Sequence, residues 1–177
     1  GCTIVGSTGM HMMAKPAHEV RLGNDGTGYV MLLPIPDMVA QIQSNMASTL
    51  NIDWVLGLAG DALRAFGHEV SHRDLVAGIE NWLAESRPGQ IAYMPYISEA
   101  GERGPFVNAD ARAGFTGLSL NHHYADVVRA VAEGLGMAMP GRWRRSLEDA
   151  DRAVALGARI RVVKVEWPDS DDPGIDL

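Results

Sequence analysis

An α/β fold is predicted, and three observations carry it. Short apolar and β-branched runs, punctuated by glycine-rich turns, occupy the first third of the chain. Helical periodicity replaces them from Ile52 onward. Of the 177 residues, 46% are hydrophobic and 21% charged, which suits a globular domain with a sizeable core and not a disordered chain.

Thr3-Ile4-Val5 is a β-branched run that stops at Gly6-Ser7-Thr8-Gly9, and residues 10–13 resume as a strand, so the segment reads as a hairpin. Asn24-Asp25-Gly26-Thr27-Gly28 is a second turn, and residues 29–35 form a third strand closed by Pro34 and Pro36. Three successive strands suggest an antiparallel meander. Ile52, Val55, Leu56, Ala59, Leu63 and Phe66 then share one helical face, with Gly67 as the stop. Ser71 with Asp74 opens another helix, whose apolar face is Leu75, Ile79, Trp82 and Leu83 and whose end is Arg87-Pro88-Gly89. Residues 91–97 are a short strand interrupted by Pro95, and 98–112 are a polar loop around Gly101, Gly104 and Pro105. A short apolar run, 115–120, precedes a helix over 124–139 with Ala125, Val128, Ala132 and Leu135 on one face. Pro140-Gly141 breaks that helix; a basic patch at Arg142-Trp143-Arg144-Arg145, a helix beginning at Ser146, a strand over 159–167 and an acidic end follow.

The net charge of −7 argues against an extended nucleic-acid face, which needs clustered Lys and Arg. A small anion or nucleotide stays open, because a few backbone N–H groups can offset overall acidity. The single cysteine, Cys2, leaves no partner for an internal disulfide and fits a reducing compartment, so a cytoplasmic location is expected. No apolar run approaches the roughly 20 residues that span a bilayer.

Two stretches could carry chemistry. In Gly6-Ser7-Thr8-Gly9, small residues on a tight turn let backbone N–H groups approach a phosphate, and Ser7 and Thr8 add hydroxyls; the same residues also make an ordinary turn. The second stretch holds Gly101-Glu102-Arg103-Gly104-Pro105, then Ala113-Gly114-Phe115-Thr116-Gly117-Leu118, then Arg129-Ala130-Val131-Ala132-Glu133-Gly134. This run resembles the C-terminal signature of the FGGY carbohydrate kinases, in which a Gly-Glu-Arg loop leads to an Ala-x-Phe-x-Gly-Leu segment and an Arg-Ala-x-x-Glu-Gly helix. Ala132 departs from it, standing where the family usually has a larger apolar residue.

The resemblance implies an actin/Hsp70-like, ribonuclease H-like ATPase domain, here incomplete. It implies ATP and Mg²⁺ as cofactors, and a sugar or polyol hydroxyl as the acceptor of the γ-phosphoryl group. It assigns Ser7, Thr8 and Gly9 to the ATP phosphates, since the family's second domain grips them with such a turn. In the segment Ala47-Ser48-Thr49-Leu50-Asn51-Ile52-Asp53-Trp54, it places Thr49 and Asp53 near the nucleotide, although a helix cap and a solvated helix face are equally open readings. The wording around Ser7, Asn45 and Phe106 is similar to polyol kinases of the erythritol type, which places His11 near the substrate; a structural histidine is the other reading. The family's catalytic Asp is expected upstream of Gly1. Gly60-Asp61 matches its dipeptide but lies within a predicted helix, so the role is not carried over. No metal ligands are assigned, and His122-His123 reads as a surface turn.

Residues 1–139 are therefore expected to be a kinase C-terminal domain fragment, inactive alone and lacking its N-terminal partner domain; an oligomer is left open. Residues 140–177 are expected to be a tail of other origin, since 143–169 resemble a helix and strand of the proline dehydrogenase barrel. Two rival readings remain: a non-catalytic actin-fold module that binds nucleotide or a partner, and a fragment of a flavin-dependent proline dehydrogenase.

Overall fold

A computed structural model describes residues 1–21, 26–104 and 106–138. The tail expected at 140–177, with its basic patch, lies outside the described residues, as do Asn24, Asp25 and Pro105.

Strands β1 (Cys2–Val5) and β2 (Gly9–Pro16) form the expected hairpin, with Val5 opposite Gly9 and Cys2 opposite Met12. The meander does not follow. A fourth strand, β4 (Met38–Asn45), lies between β2 and β3 (Tyr29–Leu32), so the sheet order is β1-β2-β4-β3, antiparallel throughout. Sequence reading passed over β4 because Gln41, Gln43 and Asn45 dilute its pattern and Asn is poor in strands. Its central place explains its burial: Val39, Ala40 and Ile42 are all in the core, from both faces of the strand. A tight connection turns β3 into β4, with Asp37 at φ 59° and Met38 N–H bonded to the Ile35 carbonyl.

The remaining elements form a second layer of packing. Helix α1 (Leu50–Ala65), α2 (His72–Ala77), α3 (Ile79–Glu85) and α4 (Tyr124–Ala138) surround a short antiparallel pair, β5 (Ala92–Met94) and β6 (Gly114–Thr116). Their common core is Val55, Ile91, Tyr93, Val128, Ala130 and Val131. The α1 face is shorter than its spacing suggested: Val55 and Leu56 are buried, while Phe66 at its end is 84% exposed. In α4 the buried stripe is Val128, Ala130, Val131, Gly134 and Leu135, so the face is rotated from the expected one, and Ala125 and Ala132 sit at its margin. Gly134 decides that rotation, because a Cβ there would stand 2.5 Å from the Tyr93 carbonyl oxygen. The single helix expected after Ser71 is two, parted at Gly78, although its capping box of Ser71 and Asp74 forms as read.

The signature residues of α4 brace these elements. Arg129 donates to the Leu83 carbonyl and to Ser86 Oγ, at the end of α3, and pairs with Glu133 at 3.2 Å. Glu133 in turn accepts the Gly89 N–H at 3.0 Å. Phe115 lies 4.6 Å from the Tyr93 ring, centroid to centroid. These contacts make the segment part of the scaffold that holds α3, α4 and β5 together.

Candidate functional site

The turn from Gly6 to Gly9 is closed by a bond from Gly6 N–H to the Thr8 carbonyl, at 3.1 Å. It is not a free loop. Its Ser7 and Gly6 carbonyls accept the N–H groups of Ser48, at 2.8 Å, and Thr49, at 2.9 Å. Those residues lead into α1, so the turn is docked on the entrance of a 16-residue helix. The structure thus brings Ser7, Thr8, Gly9 and Thr49 together, four of the residues singled out by sequence.

Each has a distinct place there. Ser7 and Thr8 are exposed. Gly9 is buried, and its N–H donates to Asn45 Oδ1. That N–H is therefore spent within the protein. Gly9 contributes space instead: a Cβ there would lie 2.2 Å from Asn45 Oδ1. Thr49 occupies the cap position of α1 with helical dihedrals, φ −57° and ψ −23°, and its side chain makes no capping bond. Exposed hydroxyls at the positive end of a helix dipole suit an anionic group.

Asp53 lies one turn further along α1, half-exposed, 3.3 Å from His72 Nε2. His11 lies two residues past Gly9 on β2, on the same face of the sheet, and is 8% exposed. Its Nδ1 is 3.2 Å from Thr3 Oγ1, and its register partners are Thr3 and Gln43. Asp61 is exposed on α1 and pairs with Arg64 at 2.8 Å, away from the helix entrance. His122 accepts the Ser119 N–H at 2.9 Å, in a surface turn before α4. Among the described residues no group of three His, Cys, Asp or Glu side chains stands together to hold a metal ion.

A hollow of about 510 Å³, lined by Leu32, Pro34, Ile35 and Met38 among others, opens elsewhere. It sits where Pro16 faces Met38, whereas the turn sits where Gly9 faces Asn45. At about 3.3 Å per strand residue, the two ends of β2 are roughly 23 Å apart.

Sequence reading missed Asn45 as a site residue. Its side chain joins β4 to the turn through Gly9 and to the approach of α1 through the Ala47 carbonyl, at 2.9 Å. No sequence signal marked it, because its strand was passed over and its burial exists only in the fold.

Residues 1–161 match the family described as the FGGY family of carbohydrate kinases, C-terminal domain. The chain is 56% identical over 138 residues to an erythritol kinase of Brucella abortus (strain 2308), covering 78% of this chain and 26% of that protein. It is 35% identical over 88 residues to a xylulose kinase of Klebsiella pneumoniae, covering 50% of this chain and 16% of the relative. Among solved structures, the xylulose kinase of Rhodospirillum rubrum superposes with a TM-score of 0.63 at 24% identity, over 83% of this chain and 27% of that one.

Proposed function

The chain belongs to the FGGY family of carbohydrate kinases, and on that premise we propose that it supplies part of the ATP-binding domain of a kinase that phosphorylates a polyol hydroxyl. The observation that carries this reading is the turn at Ser7, Thr8 and Gly9, docked by two backbone bonds on the entrance of α1. The polyol class is supported by the relative that is 56% identical, itself an erythritol kinase.

In this reading Ser7 and Thr8 donate their hydroxyls to phosphate oxygens, and Gly9 keeps the approach open by carrying no side chain. Thr49, with its hydroxyl unspent on the helix cap, and Asp53 lie on the nucleotide side of α1. Positioning and charge stabilisation carry most of a phosphoryl transfer, so a turn held rigidly from behind is the part this segment would provide. ATP is the phosphoryl donor expected of such a kinase. Mg²⁺ is the cofactor expected beside ATP, since metal ions neutralise the charge that develops on the phosphates during transfer. His11, buried against Thr3, suits support of the hairpin better than contact with the polyol. The exposed thiol of Cys2 fits a reducing, cytoplasmic setting.

The chain spans 26% of the length of its erythritol kinase relative, and turnover is proposed for the complete kinase only. The test measures ADP release by that kinase with a panel of polyols, alongside the Thr8→Val variant. Losing one hydroxyl donor to a charged phosphate should raise the KM for ATP about tenfold, with the polyol KM unchanged. ADP release that ignores every polyol, or a Thr8→Val enzyme with unaltered ATP dependence, would overturn the reading.

A further inference from the structure

Glu102 is 2% exposed and is the only carboxylate among the buried residues described. Burying such a group is costly unless hydrogen bonds replace its water. Here one oxygen, Oε1, accepts three backbone N–H groups: Arg103 at 2.8 Å, Gly104 at 3.1 Å and Met46 at 3.1 Å. The first two shape its own loop. The third comes from 56 residues earlier, just past the end of β4.

That third bond leads to the phosphate turn. Met46 follows Asn45, whose Oδ1 holds the Gly9 N–H and whose Nδ2 donates to Ala47. Ser48 and Thr49 then hold the Ser7 and Gly6 carbonyls. The backbone from 45 to 49 is thus gripped by Glu102 on one side and grips the turn on the other. The loop bearing Glu102 is built to reach this place. Glu102 and Asn108 exchange two backbone bonds of 2.9 Å each. Gly104 lies so close to β4 that a Cβ would stand 2.2 Å from the Ser44 carbonyl oxygen. Gly101, at φ 75°, would meet the Asn108 carbonyl oxygen at 2.2 Å.

We infer that Glu102 is a positioning residue for the phosphate turn, acting through Met46 and Asn45. Its importance to nucleotide binding rests on the role proposed above for Ser7 and Thr8, but its effect on the turn does not. Removing the carboxylate leaves three N–H donors without this acceptor, that of Gly104 buried and the other two partly so, and frees the segment that aims Asn45 at Gly9.

Amide hydrogen exchange followed by NMR on the whole chain, without nucleotide, reads this directly and stands apart from the kinase reading. In the unaltered protein the Gly9, Met46 and Gly104 amides should open together, with the same denaturant dependence. In Glu102→Ala all three should exchange about tenfold faster, beyond any change at the Val55 and Val131 amides in α1 and α4. Glu102→Gln, which keeps one carbonyl oxygen, should recover most of that protection at Gly9. Independent opening of Gly9 in the unaltered protein overturns the inference, even if Glu102→Ala does not fold. So does a Gly9 amide that slows or quickens only in step with the helices, which would leave Glu102 a clasp of its own loop.

Discussion

At the scale of single residues, the turn depends on an absence. Gly9 has no side chain because Asn45 Oδ1 already occupies the space a Cβ would take. Gly9→Ala should therefore push Asn45 aside, cost about 1–3 kcal/mol of stability in urea unfolding, and weaken nucleotide binding in the complete kinase. Tyr93 shows the opposite case, a polar group paired inside the core. Its hydroxyl donates to the buried Asn51 Oδ1 at 2.8 Å. Burial pushes its pKa up from 10.0 to about 12. The folded state therefore keeps this proton where the unfolded state loses it. Stability from the neutral Tyr93 is fully present below pH 10 and is lost as pH rises from 10 towards about 12. Urea unfolding across that range should show the decline, and Tyr93→Phe should flatten it. An equal slope in both proteins would remove Tyr93 as the cause.

At the scale of elements, close approach of backbones sets the packing. Helix α4 crosses β5 at Gly134, where a Cβ would meet the Tyr93 carbonyl oxygen at 2.5 Å and the Tyr93 side chain at 3.0 Å. Gly134→Ala should force the helix away from β5 and lower the free energy of unfolding by about 1–3 kcal/mol, despite alanine's better helix propensity. Gly136→Ala is the control: among the described residues nothing lies within 4 Å of its Cβ position, so there the propensity gain should win. Measured side by side in urea, the two should move in opposite directions. The hairpin β1–β2 and helices α1 and α4 were legible because turn residues and apolar spacing are local signals. The strand β4 was not, since its burial comes from neighbours on both sides and not from its own alternation.

At the scale of the whole molecule, the described residues divide their tasks. The sheet presents the turn, the helical layer supplies most of the core, and the segment 45–49 with the Glu102 loop joins the two. The sequence by itself determined the fold class, the family and the turn at residues 6–9, for which phosphate binding is proposed. Those rest on short-range features: glycine at a reversal, hydroxyls beside it, and a signature of fixed spacing. Only the tertiary structure decided the strand order, the spent N–H of Gly9 and the roles of Asn45 and Glu102. The physical reason is sequence separation. Gly9 and Asn45 are 36 residues apart, and Met46 and Glu102 are 56 apart. A hydrogen bond across such a distance leaves no periodicity in the chain; it exists only once folding has brought donor and acceptor together and removed the water that would otherwise satisfy them.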